Sequence, residues 1–119
     1  MPSPFQAEFQ PDTDERPGIL ALTGRISYRE AAHLRTALFE AISHTGSHLL
    51  VDLAEVEAMD TAALAVLVEG MVATDDTKQE IFLCTPSESV RRIFHLAGLD
   101  GALAKCWGCI DSASRAIDS

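Results

Sequence analysis

A carboxylate followed at once by a hydroxyl, Asp60-Thr61, stands where an apolar, strand-like run gives way to helical spacing. A short side-chain oxygen can accept a hydrogen bond from the unpaired amides of a first helical turn, so Asp60 or Thr61 caps a helix there. That end of a helix also carries the positive end of its dipole, which favours an anion. A phosphate esterified to the Thr61 hydroxyl would sit in a favourable field, and the pair reads as a switch site.

Other reactive residues are scattered. Cys106-Trp107-Gly108-Cys109 has the Cys-x-x-Cys spacing that lowers a thiol pKa or closes a small disulfide ring, with Asp111 starting a helix just beyond it. A thioredoxin-type pair would follow an early strand and lead directly into a long helix, whereas this one lies near the C-terminus. A structural zinc site wants four ligands, and only Cys84, His33, His44, His48 and His95 remain to complete one. There is no phosphate loop of the G-x-x-x-x-G-K-[ST] type and no assembled Ser/His/Asp set. Asp12, Asp14 and Glu15, like Asp75-Asp76, read as solvated loop acids, Arg91-Arg92 as an exposed helix face, and His95 and Trp107 as packing or edge residues. The expectation is a protein with no catalytic residues, no cofactor and no metal.

The elements that must position Asp60-Thr61 alternate between strand and helix. Residues 5–9 make a short edge strand, Pro11 to Pro17 a polar turn, and residues 18–22 a second strand ending at Thr23-Gly24. Residues 28–42 place Ala31, Leu34, Leu38, Ala41 and Ile42 on one helix face, stopped by Thr45-Gly46. Residues 48–53 form a buried central strand, and Ala62, Ala63, Leu64, Leu67, Val68 and Met71 recur at helical spacing after it. A strand at 80–84 leads to a helix through Leu96 that Ser87 or Thr85 caps; Gly98 and Gly101 frame a turn before a strand at 103–107 and a short helix at 111–117. Repeated strand-helix units predict a sheet with parallel central strands, an antiparallel N-terminal edge and about four helices.

Composition bounds the rest. The 119 residues suit a single domain spanning 1–119, with a core at about 5–117, and 47% hydrophobic with 23% charged residues is enough to bury one. A net charge of −9 opposes nonspecific binding to nucleic acid or anionic lipid and favours a basic partner surface. No apolar run approaches the roughly 20 residues of a membrane span, and residues 1–17 lack the basic start and apolar core of a signal peptide, so a cytoplasmic protein is expected.

Three stretches narrow the fold: LTGRISYREAAHLRTAL, LLVDLAEVEAMDTAALAVLVEGM and SVRRIFHLAGLDGAL. Together they resemble the STAS domain family, and in particular its bacterial anti-sigma factor antagonists. The pattern there is a strand ending in Asp-Leu, then Asp-Ser/Thr-Ser/Ala-Gly-Leu at a helix start, matched by Asp52-Leu53 and Asp60-Thr61-Ala62-Ala63-Leu64. The resemblance implies a non-enzymatic, protein-binding STAS fold. By position Thr61 is the residue that an anti-sigma factor, itself a serine kinase using ATP, phosphorylates; the unmodified antagonist holds that kinase and frees a sigma factor. The contact surface implied comprises Gly24, Arg25 and Ser27 in one turn with Met59, Asp60, Thr61, Ala62 and Leu64. Two departures stand out: Ala63 replaces the motif's glycine, and Ser27 replaces an acid that in the family lies near the phosphosite. The same Asp60 to Leu67 stretch also resembles the STAS subunit of lipid-transport ABC systems, which binds the transporter's ATPase.

Overall fold

The computed structural model describes residues 4–46, 48–75 and 77–99. Their elements run β1 (Gln6–Gln10), β2 (Gly18–Ile26), α1 (Ala31–Ser43), β3 (His48–Met59), α2 (Thr61–Ala73), β4 (Glu80–Cys84) and α3 (Glu88–Leu96). The strands form one sheet in the order β1-β2-β3-β4. β1 pairs antiparallel with β2, while β2-β3 and β3-β4 are parallel, so α1 and α2 are the two crossovers. This is the mixed sheet with an antiparallel N-terminal edge that the alternation predicts. Three helices are seen among the described residues; the expected strand at 103–107 and helix at 111–117 lie outside them.

Alternation decides the core. On one sheet face Leu20, Leu22 and Ile26 of β2, Leu49, Val51 and Leu53 of β3 and Leu83 of β4 pack with Leu34 and Leu38 of α1, Leu64 and Leu67 of α2, and Val90 and Phe94 of α3. A smaller cluster of Leu50 and Cys84, with Ile19 and Phe82 against it, occupies the intervening strand positions and therefore the other face. Leu50 and Val51 are both 0% exposed, which is why residues 48–53 read as a continuous apolar run.

Two strands run further than their composition predicts. β2 does not stop at Thr23-Gly24 but continues to Ile26, and β3 does not stop at Leu53 but continues to Met59. The reason is a pair of register shifts, between Ala21 and Thr23 and between Gly24 and Arg25, each inserting one extra residue on β3. The inserted residues break the period of two and expose Ala54, Glu55 and Glu57, so the second half of β3 resembles a polar loop in sequence. Gly24 meets the second shift with φ of 88°, a left-handed conformation that glycine adopts without strain.

Helix starts also moved. α1 begins at Ala31, three residues later than the apolar spacing suggests, because Ser27 to Glu30 forms a hydrogen-bonded turn of its own. α3 begins at Glu88, with Ser87 as its cap, and Thr85 before it has φ of 48°. β1 is displaced by one residue from the expected 5–9, and β4 matches its expected bounds.

Candidate switch site at the start of the second crossover helix

Asp60, not Thr61, is the N-cap of α2. Its backbone is extended, with φ −102° and ψ −179°, and Oδ1 accepts from the Ala63 N–H at 3.1 Å. Oδ2 accepts from the backbone N–H of Tyr28 at 2.7 Å, across 32 residues of sequence. The Asp60 N–H in turn donates to the Ile26 carbonyl at 3.2 Å. One carboxylate thus holds the helix start and the β2–α1 turn together, and both of its oxygens are committed to backbone amides.

That division of labour leaves Thr61 unencumbered. It is the first residue of α2, it is exposed, and its hydroxyl makes no hydrogen bond among the described residues. Ala62 beside it is half-buried and Ala65, one turn on, is exposed. Beneath them Met59, Ala63 and Leu64 are 8%, 0% and 4% exposed and belong to the core. Alanine at position 63 is therefore a packing residue whose methyl faces apolar neighbours, and its N–H is the one that Asp60 caps.

The β2–α1 turn forms the adjoining wall. Ser27 Oγ donates to the Glu30 carboxylate, 3.2 Å from Oε1 and 3.0 Å from Oε2, and accepts from the Arg29 N–H at 3.2 Å. The Ser27 N–H reaches Glu30 Oε1 at 3.4 Å, closing a Ser-x-x-Glu loop of the capping-box type. An acid from one turn later, Glu30, is thus bonded to Ser27. Arg25 is exposed, Ser27 half-buried and Gly24 buried; Gly24 and Arg25 belong to β2 rather than to a turn. Of the residues singled out from sequence, Arg25, Ser27, Asp60, Thr61 and Ala62 reach the surface, while Gly24, Met59 and Leu64 lie beneath it. Sequence reasoning missed Tyr28, Arg29 and Glu30, although the Ser27-x-x-Glu30 spacing was a readable signal.

The far end of β3 is pinned as well. Ser87 Oγ caps Val90 N–H at 3.3 Å and donates to the Val56 carbonyl at 2.8 Å, fixing α3 to the bulged half of β3. The Asp52 carboxylate accepts from the Ala54 N–H at 3.0 Å within the first bulge, a local role. Arg91 and Arg92 are exposed on α3, as their spacing predicts. Asp12 does more than solvate a loop: its Oδ2 accepts from Gly46 N–H at 3.0 Å. No group of three or more His, Cys, Asp or Glu able to hold a metal ion occurs among the described residues. Cys84 is buried, and the Cys106–Cys109 pair lies outside the described residues. No described helix is long and apolar enough to cross a membrane.

The sequence profile of the STAS domain family matches residues 6–113, almost the whole chain. This protein belongs to the STAS domain family. Solved structures share the architecture. An anti-sigma factor antagonist from Mycobacterium paratuberculosis superposes with a TM-score of 0.81 at 21% identity, over 98% of this chain and 96% of that one. The phosphorylated form of the Bacillus cell fate determinant SpoIIAA gives 0.66 at 17% identity, covering 97% of both chains. A sulfate transporter family protein from Wolinella succinogenes gives 0.69 at 19% identity, over 84% of this chain and 83% of that one. Within this STAS domain, the Asp60 cap and the turn bonded to it form the candidate site.

Proposed function

We propose that this STAS domain is an anti-sigma factor antagonist, a cytoplasmic binding module without enzymatic activity, whose affinity for an anti-sigma factor kinase is set by phosphorylation of Thr61. The observation that carries the reading is the separation of roles at the helix start: Asp60 performs the capping, and the adjacent Thr61 hydroxyl is exposed and unbonded. A side chain needed only for the fold would be the cap. A phosphate there gains from the helix dipole, so the fold tolerates it. The same group adds a charge of about −1.5 to −2 and three acceptor oxygens to a contact surface, beside a carboxylate, and disfavours the complex by repulsion and desolvation.

The contact surface in this reading is Thr61 and Ala62 with Arg25 and Ser27, supported from below by Met59, Leu64 and Gly24. The likeness to antagonist structures, one of them in a phosphorylated form, supports it. The test is to incubate the chain with an anti-sigma factor kinase from the same organism and ATP, and to map the product by mass spectrometry. One phosphate, on Thr61, with its loss in Thr61→Ala and retained binding of that variant, is the expected result. Phosphate only at another residue, or equal kinase affinity for Thr61→Glu and wild type, overturns the reading. Binding to an ABC transporter ATPase in place of a kinase would transfer the chain to the transport branch of the family.

A further inference from the structure

Three large apolar side chains are notably exposed among the described residues: Tyr28 at 66%, Val72 at 68% and Leu96 at 78%. Val72 and Leu96 lie in the last turns of α2 and α3. Tyr28 alone is aromatic, and it alone is bonded to the residue that caps the switch helix. Its backbone is fixed on both sides: the N–H is held by Asp60, the carbonyl accepts from Ala31 N–H at 3.4 Å, and the Ser27–Glu30 loop closes around it. The side chain has a partner too. Arg29 Nε donates to the Tyr28 hydroxyl at 3.2 Å, with the guanidinium carbon 5.7 Å from the ring centroid.

An exposed aromatic held on a rigid turn loses little freedom on binding, which is how tyrosine and arginine come to dominate protein contacts. Charge says what it meets. Acidic residues outnumber basic ones 18 to 9, yet neither Arg25 nor Arg29 is paired with a carboxylate among the described residues. One of these cations, Arg29, thus lies against the exposed ring of an otherwise acidic chain, and Arg25 is exposed in β2, three residues before Tyr28. Building on the antagonist reading, we propose that Tyr28 and Arg29 form a second contact element beside Thr61, an aromatic anchor and a cation that seat in an apolar pocket edged by a carboxylate on the kinase partner. Because Asp60 bonds both Ala63 and Tyr28, this element and the phosphorylation site are presented in a fixed relation.

The experiment is isothermal titration of the full chain against the anti-sigma factor kinase used in the phosphorylation test, with melting curves for each variant. Tyr28→Ala and Arg29→Glu each weaken binding by about tenfold or more, Arg29→Lys by less, and Val72→Ala and Leu96→Ala leave it unchanged. All these positions are exposed, so the melting curves stay close to wild type. Wild-type affinity in both Tyr28→Ala and Arg29→Glu, with the wild-type chain itself binding, overturns this inference and leaves the antagonist reading standing. A wild-type chain that does not bind the kinase overturns both.

Discussion

The backbone N–H of Tyr28 donates to Asp60 Oδ2 at 2.7 Å, joining the turn after β2 to the cap of the helix that begins with Thr61. Two segments 32 residues apart in sequence therefore share one carboxylate at the candidate contact surface. In the proposed function, stability falls to Asp60 and switching to its neighbour Thr61, and substitutions separate the two.

Asp60→Ala removes both bonds. Loss of an N-cap costs about 1 kcal/mol and loss of a second hydrogen bond to a charged acceptor a further 1 kcal/mol or so, giving a drop of about 2 kcal/mol in urea unfolding. Asp60→Asn retains one acceptor oxygen and loses about half as much. Wild-type stability in Asp60→Ala would show that the carboxylate holds neither segment.

Thr61→Ala changes stability by less than about 0.5 kcal/mol, since the residue is exposed and is not the cap. Thr61→Glu is equally well folded, because its charge lies at the positive end of α2. Chemical denaturation of the two variants beside Asp60→Ala checks this; a loss near 1 kcal/mol in Thr61→Ala would mean that the hydroxyl caps the helix.

Val51 is 0% exposed in the centre of β3, packed under the helices. Val51→Asp places an unpaired carboxylate there and lowers stability by about 4 kcal/mol, or prevents folding. A thermal melt matching wild type would remove Val51 from the core.

Gly70 lies where α2 approaches α1. A Cβ at that position would stand 2.6 Å from Leu38 Cδ2 and 3.2 Å from its Cγ, and Leu38 is itself 1% exposed. Overpacking of about 1–3 kcal/mol outweighs the gain in helix propensity of about 1 kcal/mol, so Gly70→Ala is destabilised by about 1 kcal/mol. Urea unfolding checks this: recovery of part of the loss in Gly70→Ala/Leu38→Val would support the clash, and a stabilised Gly70→Ala would locate slack in this contact.

The strand-helix order was legible in the sequence, as were the core faces of α1 and β3 and the hydroxyl at the start of α2. Each follows from local periodicity: Leu34, Leu38 and Ala41 repeat at helical spacing, and Leu49 to Leu53 form a run too apolar to face water on either side. Ser87 and Asp60 carry short side-chain oxygens at the points where helical spacing begins, which is what a cap requires.

What tertiary structure decided was the length of β2 and β3, the choice between Asp60 and Thr61, and the company that Asp60 keeps. The bulges opposite Ala21 to Thr23 and Gly24 to Arg25 exist because β3 carries two more residues than its partner over the same span, a relation between strands that no window along either one contains. Asp60 and Thr61 both satisfy the local rule for a cap. Asp60 takes the position in a structure where a second acceptor oxygen also meets the Tyr28 N–H, and that amide is brought there by the β2–β3 pairing. Periodicity reports which side of an element is buried; it holds no information about which backbone amide, thirty residues away, will lack a partner until the sheet has formed.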